Sequence, residues 1–388
     1  MLIREPSRIK VPLLLFVLVM LVFAPITYHY AYAKVEADFN QHMQWAIALA
    51  QNGLGGISPD VLAHAGWQIA LVLTNKLFHS SFEFAGFLVA LFSTGLTALI
   101  LFFWYQPVLS KTNWPGWKTG LVILGVCIAA PVSLLWPLDR LMYLGYIGIT
   151  SYHNPTSILL KPFAILQLIF AYQCFRETGV VNNWQILLGA LISAVCTFIK
   201  PSLAICILPA LAVFSTYRIL KREYLNYRAL FGGLGLPTVI VLVWQFALTY
   251  SASQTDAIVF LPFVVMREYS DYLGWKLLLS ILFPLALLIA FFPQAIRDTR
   301  MILAWLIFLI GIILTYFFAE SGPHMMDGNF GWSAEIASLL LFVVSTLFYF
   351  EESAKTTKSA KLLTMLWSLH VVFGILYYVR NIFAGTYR

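Results

Sequence analysis

Lys34-Val35-Glu36-Ala37-Asp38-Phe39-Asn40-Gln41-His42-Met43-Gln44-Trp45 opens a polar interval that runs to Phe78, directly after the first apolar segment of the chain. An Ala-rich run, Ala46 to Ala50, and a Gly-rich break, Gly53-Leu54-Gly55-Gly56, follow before Asp60, His64 and Trp67. On a helix Asp38, His42 and Trp45 return to one face, because i, i+4 and i+7 lie on the same side. Such a face lies along a membrane surface with a carboxylate and an imidazole pointing one way. An interfacial amphipathic helix held only by its aromatic and charged groups accounts for the same pattern. The rest of the chain decides between the two.

Of the 388 residues 61% are hydrophobic and 11% charged, and the mean hydropathy is +0.83. Soluble domains carry about a quarter charged residues, so the composition is that of an integral membrane protein. Several uncharged runs approach the roughly 20 residues that a helix needs to cross a bilayer, and the alternating segments of a barrel are missing. The net charge of +7 therefore describes loop placement, and no nucleic-acid partner is expected. Cys127, Cys174, Cys196 and Cys206 all fall in apolar segments without metal-type spacing, which argues against a disulfide or zinc framework. Arg4, Arg8 and Lys10, the run Val11 to Ile26 and Ala31-Tyr32-Ala33 imitate a signal peptide; the segment reads as an uncleaved signal anchor.

The apolar pattern predicts an all-α, polytopic transmembrane bundle of about eleven helices, at 11–30, 82–104, 119–137, 157–175, 184–199, 202–217, 229–249, 276–293, 301–319, 334–350 and 362–380. With a cytoplasmic N-terminus, the short basic loops fall inside, Arg218 to Arg228 most clearly. The polar, acidic intervals 31–81, 138–156, 250–275 and 320–333 then fall outside. The first of these is a long, partly helical extracytoplasmic loop. Without linkers or repeats, 1–388 is expected to form a single membrane domain.

Charged groups close to a bilayer core are costly and often functional. Two apolar segments of about sixteen residues, or about 24 Å of helix, flank Lys200-Pro201, against a hydrocarbon core of about 30 Å. The ammonium is thus recessed, and Pro201 suits the first turn of the next helix. A cation at a helix start fits a phosphate, although a lysine snorkelling to headgroups is the plainer alternative. Tyr152-His153-Asn154-Pro155-Thr156 reads as a second helix start, with Asn154 as cap and Pro155 at the first position. His153 and Lys161 are further candidate contacts for an anion. Between Glu320 and Trp332, the residues His324, Asp327 and Asn329 lie among glycines and aromatics that can hold a sugar, and a plain Gly/Pro turn is the alternative. Arg140 and Arg267 are the cations clearly placed in the outer loops.

Taken in order, Ala37-Asp38-Phe39 with His42 and Trp45-Ala46, then His64-Ala65-Gly66-Trp67, Tyr152-His153-Asn154-Pro155-Thr156 and Ile199-Lys200-Pro201-Ser202 resemble the GT-C superfamily of membrane glycosyltransferases. The spacing is similar to the branch that uses polyprenyl-phosphate mannose. The resemblance covers about the first 220 residues, leaving 221–388 as a variable set of C-terminal helices. It implies an enzyme that takes sugar from a polyprenyl-phosphate donor and passes it to a glycan, lipid or protein acceptor at the extracytoplasmic face. The family often places two acids together in this loop; here Asp38-Phe39-Asn40 departs from that.

The expected chemistry gives a loop carboxylate, Asp38 with Glu36 and Asp60 as competitors, the role of general base. Lys200 and the nearby helix starts stabilise the departing lipid phosphate, and His42 or His153 assists; His64 is a further candidate substrate contact. No cofactor is firmly implied; a divalent metal on Asp38 and His42 lacks further ligands at firm spacing. The expected location is a bacterial inner or plasma membrane, with the site facing the periplasm or exterior and membrane lipids around it. A polysaccharide polymerase or ligase, and a flippase or transporter of lipid-linked sugar, are the rival classes.

Overall fold

The computed structural model describes every residue except 1–6, 34–36, 113, 140–141, 178–180, 251–256, 353–358 and 385–388, and the side chains at 7–9, 112, 139, 323, 324 and 384. Its helices, in chain order, are α1 (Ser7–Tyr32), α2 (Asp38–Asn52), α3 (Pro59–Ala63), α4 (Gly66–Phe78), α5 (Phe82–Leu109), α6 (Gly116–Ile128) and α7 (Trp136–Asp139). They continue as α8 (Pro155–Gln173), α9 (Asn183–Ile199), α10 (Ala204–Leu220), α11 (Leu236–Tyr250), α12 (Val264–Tyr269), α13 (Leu273–Ser280), α14 (Leu282–Ala290), α15 (Phe292–Ala295), α16 (Thr299–Phe317), α17 (Gly331–Glu352) and α18 (Ala360–Ala384). One π-helical turn, Ala229–Gly235, leads into α11. All eleven apolar segments contain helix. Among the described residues, seven helices are long and apolar enough to cross a membrane, or eight if the bent pair α13–α14 is one span. That architecture makes the chain a multi-pass membrane protein.

The expected count of eleven full crossings is corrected at four places. α9 and α10 have 17 residues each, and α6 has only 13. The helix expected over 119–137 stops at Ile128 because Pro131 lacks an N–H and turns Ala130 away from helical geometry. Pro284 acts similarly: the helix expected over 276–293 breaks before it, and α13 meets α14 at 65°. Backbone freed at membrane depth must find partners inside the protein. Ala130 N–H donates to the His370 carbonyl at 3.0 Å and Val132 N–H to the Leu279 carbonyl at 3.2 Å. His370 of α18 closes both breaks with its ring, since Nδ1 lies 2.8 Å from the Ala130 carbonyl and Nε2 accepts from Phe283 N–H at 3.3 Å. Gly374, one turn further along α18, permits this docking: a Cβ there would stand 1.9 Å from the Ile128 carbonyl oxygen.

The all-α expectation needs one small amendment. Strands β1 (Ile258–Phe260) and β2 (Phe318–Glu320) pair antiparallel, with Val259 opposite Ala319. At the centre stands α17, buried at every position from Ser333 to Tyr349, as expected of a helix enclosed on all sides. Around it the chain forms two polar ends. At one end Arg218 donates to the Phe175 and Tyr224 carbonyls and pairs with Glu223, while Arg300 pairs with Asp298 and Glu351. The other end gathers the starts of α2, α8 and α17 with the α9–α10 turn.

A candidate anion site at the starts of three helices

Asn154 is the hub of that second end. Its side chain caps α8 by accepting from Ser157 N–H at 2.9 Å, with Pro155 at the first helical position. The amide is oriented by charge. Its Oδ1 also receives Lys200 Nζ at 3.2 Å and Thr156 Oγ1 at 2.8 Å, and its Nδ2 donates to Asp38 Oδ2 at 2.6 Å. Asn154 therefore links the cation to the carboxylate through one aligned dipole. The main chain repeats the link, because Phe39 N–H donates to the His153 carbonyl at 3.1 Å.

Lys200 ends α9 in extended geometry, φ −164° and ψ 126°, as a residue before proline prefers. This conformation turns its side chain out of the helix line towards α8. Nζ reaches Asn154 Oδ1, Thr156 Oγ1 and Ser157 Oγ, each at 3.2 Å, and sits 4.0 Å above the Trp332 ring. Three contacts at the long end of the hydrogen-bond range hold the ammonium without saturating it. Burial pushes Lys200 down to about 8, and the Asp38 and Glu335 carboxylates oppose that fall. Pro201 lies in the turn before α10 and does not open the helix itself, because the turn runs through Leu203 to a helix start at Ala204.

The first loop is folded against this hairpin. Gly66 opens α4 so close to α9 that a Cβ would meet Ile199 Cγ1 at 2.9 Å and Ile199 Cα at 3.0 Å. Gln245 of α11 ties the same region, donating to the Ala63 and Thr197 carbonyls at 2.8 Å each. Phe39 packs edge-on to the fully buried Trp67, leaving Asp38 half-buried at the start of α2. His42 lies against Trp45, and its Nδ1 accepts from Gln68 Nε2 at 2.8 Å. Burial and the Lys200 ammonium hold His42 well below the usual histidine range, and the same causes bring His64 to about 4 despite Asp60. Both imidazoles are neutral at pH 7. Burial also lowers His153, against the pull of Asp38 and Glu335.

Three groups complete the site that the pattern of the chain did not single out. Trp332 covers Lys200 and lies 5.7 Å from the His153 ring. Glu335, one turn later on α17 and buried, accepts a hydrogen bond from Tyr143, whose ring stands edge-on to His153. Glu335 carried a signal, being a lone acid in an apolar run. Tyr143 and Trp332 carried none beyond ordinary interfacial aromatics.

The remaining candidates divide. Lys161 faces a cavity further along α8, away from the Lys200 contacts. Asp60 is exposed on α3 beside His64. Asn329 donates to Glu320 at 2.6 Å and Asp327 is exposed, so these two lie in a surface turn, while Trp332, at the start of α17, reaches Lys200. Glu36 and Arg140, and the side chain of His324, lie outside the described residues. Among the described residues, no three His, Cys, Asp or Glu side chains come together as a metal set. No protein-family model and no curated protein matches this chain.

Proposed function

We propose that the chain is a membrane glycosyltransferase of the GT-C type, moving a sugar from a polyprenyl-phosphate donor to a glycan, lipid or protein acceptor on the extracytoplasmic side. One observation carries the reading. A half-buried carboxylate, Asp38, and a recessed ammonium, Lys200, are held on the two ends of one amide, Asn154. Displacing a lipid phosphate needs a base on one side of the anomeric carbon and a cation on the other.

In this scheme the donor phosphate takes the place beside Lys200 Nζ, Thr156 Oγ1 and Ser157 Oγ, where the N-terminal end of α8 adds its positive partial charge. The acceptor hydroxyl attacks the anomeric carbon as its proton passes to Asp38 Oδ1, the oxygen that Asn154 does not hold. The bond from the anomeric carbon to the phosphate oxygen breaks, and its electron pair leaves with the lipid phosphate. Lys200 stabilises the added charge. Asn154 positions both partners, and the neutral His42 and His153 offer hydrogen bonds without competing for the anion.

The decisive measurement is sugar transfer by purified protein given a polyprenyl-phosphate sugar. Asp38→Asn keeps the size and the Asn154 neighbour but loses the base, so turnover falls at least about a hundredfold while donor binding persists. Full turnover in a folded Asp38→Asn protein, or no donor-dependent transfer in the wild type, ends this assignment.

A further inference from the structure

Lys200 is recessed, yet among the described residues it makes no ion pair. The three groups that Nζ reaches, on Asn154, Thr156 and Ser157, are all neutral. Asp38 is one amide away, on the far side of Asn154, and in the proposed reaction it takes up a proton and loses its charge. A second acid closes the gap. Glu335 lies three positions after Trp332 on α17, so the two share a helix face, and the Trp332 ring stands 4.0 Å from Lys200 Nζ. The contacts return to the same place by another route, because Tyr143 donates to Glu335, its ring lies 5.5 Å from the His153 ring, and His153 lies 5.7 Å from Trp332. Gly148 keeps this circuit tight: a Cβ there would stand 3.0 Å from Tyr143 OH and 3.1 Å from Glu335 Oε2.

A buried acid in an apolar helix is costly unless it accepts hydrogen bonds and balances a cation. Tyr143 supplies the hydrogen bond, and burial with the Glu335 charge pushes its phenol up, so it remains a donor. Glu335 and Asp38 both oppose the fall that burial imposes on Lys200. The other titratable groups that couple to Lys200 are imidazoles, His42 on α2, His64 at the end of α3 and His153 before α8, and these bring no negative charge. We propose that Glu335 is a positioning residue of the Lys200 centre, a fixed counter-charge locked by Tyr143 that holds the ammonium ready for a phosphate while Asp38 exchanges protons. The phosphate partner rests on the glycosyl-transfer reading; the coupling of Glu335 to Lys200 does not.

The coupling is read directly by NMR on protein in nanodiscs with lysine isotope-labelled at Cε, the Lys200 signal being the one lost in Lys200→Arg. Glu335→Gln keeps the shape and removes the charge, so the Lys200 titration midpoint should fall by at least about half a pH unit. Glu335→Asp, which keeps the charge but retracts it, should give a smaller fall, and reads the coupling should the amide variant not fold. Polyprenyl phosphate is then bound to the same samples. Above the midpoint Glu335→Gln should weaken binding about threefold or more, whereas well below it affinity should be unchanged or tighter, since one negative charge fewer acts on the phosphate. In a Lys200→Arg background the pH-dependent loss should vanish. An unmoved Lys200 midpoint, or an affinity loss equal at every pH as a merely structural role would give, overturns the assignment. A midpoint that moves in protein unable to bind polyprenyl phosphate supports the coupling and sinks the transfer reading instead.

Discussion

At the scale of single residues, Lys200 makes the sharpest demand on pH. Its folded-state value near 8 lies below the ordinary lysine value of 10.5, so the unliganded fold favours the neutral amine. The sign follows from proton counting: between about 8 and 10.5 the unfolded chain binds more protons, and unliganded stability rises with pH across that window. Anion binding has the opposite dependence, because it needs the ammonium. Donor affinity and kcat/KM should therefore fall as pH rises through about 8, and Lys200→Arg, which stays charged, should remove that limb. A flat profile from pH 7 to 9.5 in the wild type would detach Lys200 from the donor. Asp38, Asn154 and Lys200 were legible in the chain because each puts polarity where burial makes it costly. Their hydrogen bonds were not legible, since the three lie 116 and 46 positions apart and only the folded hairpin brings them together. Glu335 is legible in the same way, as a lone acid in an apolar run, but its partner Tyr143 lies 192 positions away and is met only in the fold.

At the scale of elements, the apolar runs located the helices and the prolines located their breaks, but the run lengths did not say which helices complete a crossing. Pro131 and Pro284 are visible in the sequence. What makes their breaks tolerable is His370, 240 positions from Ala130 and 87 from Phe283, and no local pattern joins them. The assignment makes His370 a structural residue: with Nε2 accepting from Phe283 N–H, Nδ1 carries the proton and donates to Ala130. His370→Phe preserves a flat ring and strands both backbone groups, so it should cost about 2–5 kcal/mol, read as a lowered midpoint of unfolding in detergent. Stability equal to wild type would show that the broken segments find other partners. Gly374→Ala tests the same junction sterically. The atom that a methyl group would strike is the backbone carbonyl of Ile128, which no rotamer change can move, so a loss of about 1–3 kcal/mol is expected.

For the whole molecule, the two polar ends provide a test of orientation that does not depend on any single helix count. α8 has 19 residues, about 28 Å at 1.5 Å per residue, close to the thickness of a hydrocarbon core. Asn154, Lys200 and the candidate site stand at its start. Cys174 stands just past its end, where its carbonyl accepts from Asn226 N–H, within the basic turn between Arg218 and Arg228. Positively charged turns favour the cytoplasmic side, and the prediction is that end inside and the Asp38 centre outside. Cysteine labelling can read this directly, because Cys174, Cys196 and Cys206 are buried and Cys127 lies in the bundle interior, so the native background is low. Gly55 is exposed, with open space where a side chain would go, and Lys221 is exposed in the basic turn. In intact cells Gly55→Cys should react with a membrane-impermeant maleimide, and Lys221→Cys should react only after the membrane is opened. The reverse pattern would put Asp38 and Lys200 on the cytoplasmic side, where an extracytoplasmic donor phosphate cannot reach them, and the transfer reaction proposed for that centre would have to be abandoned with the orientation.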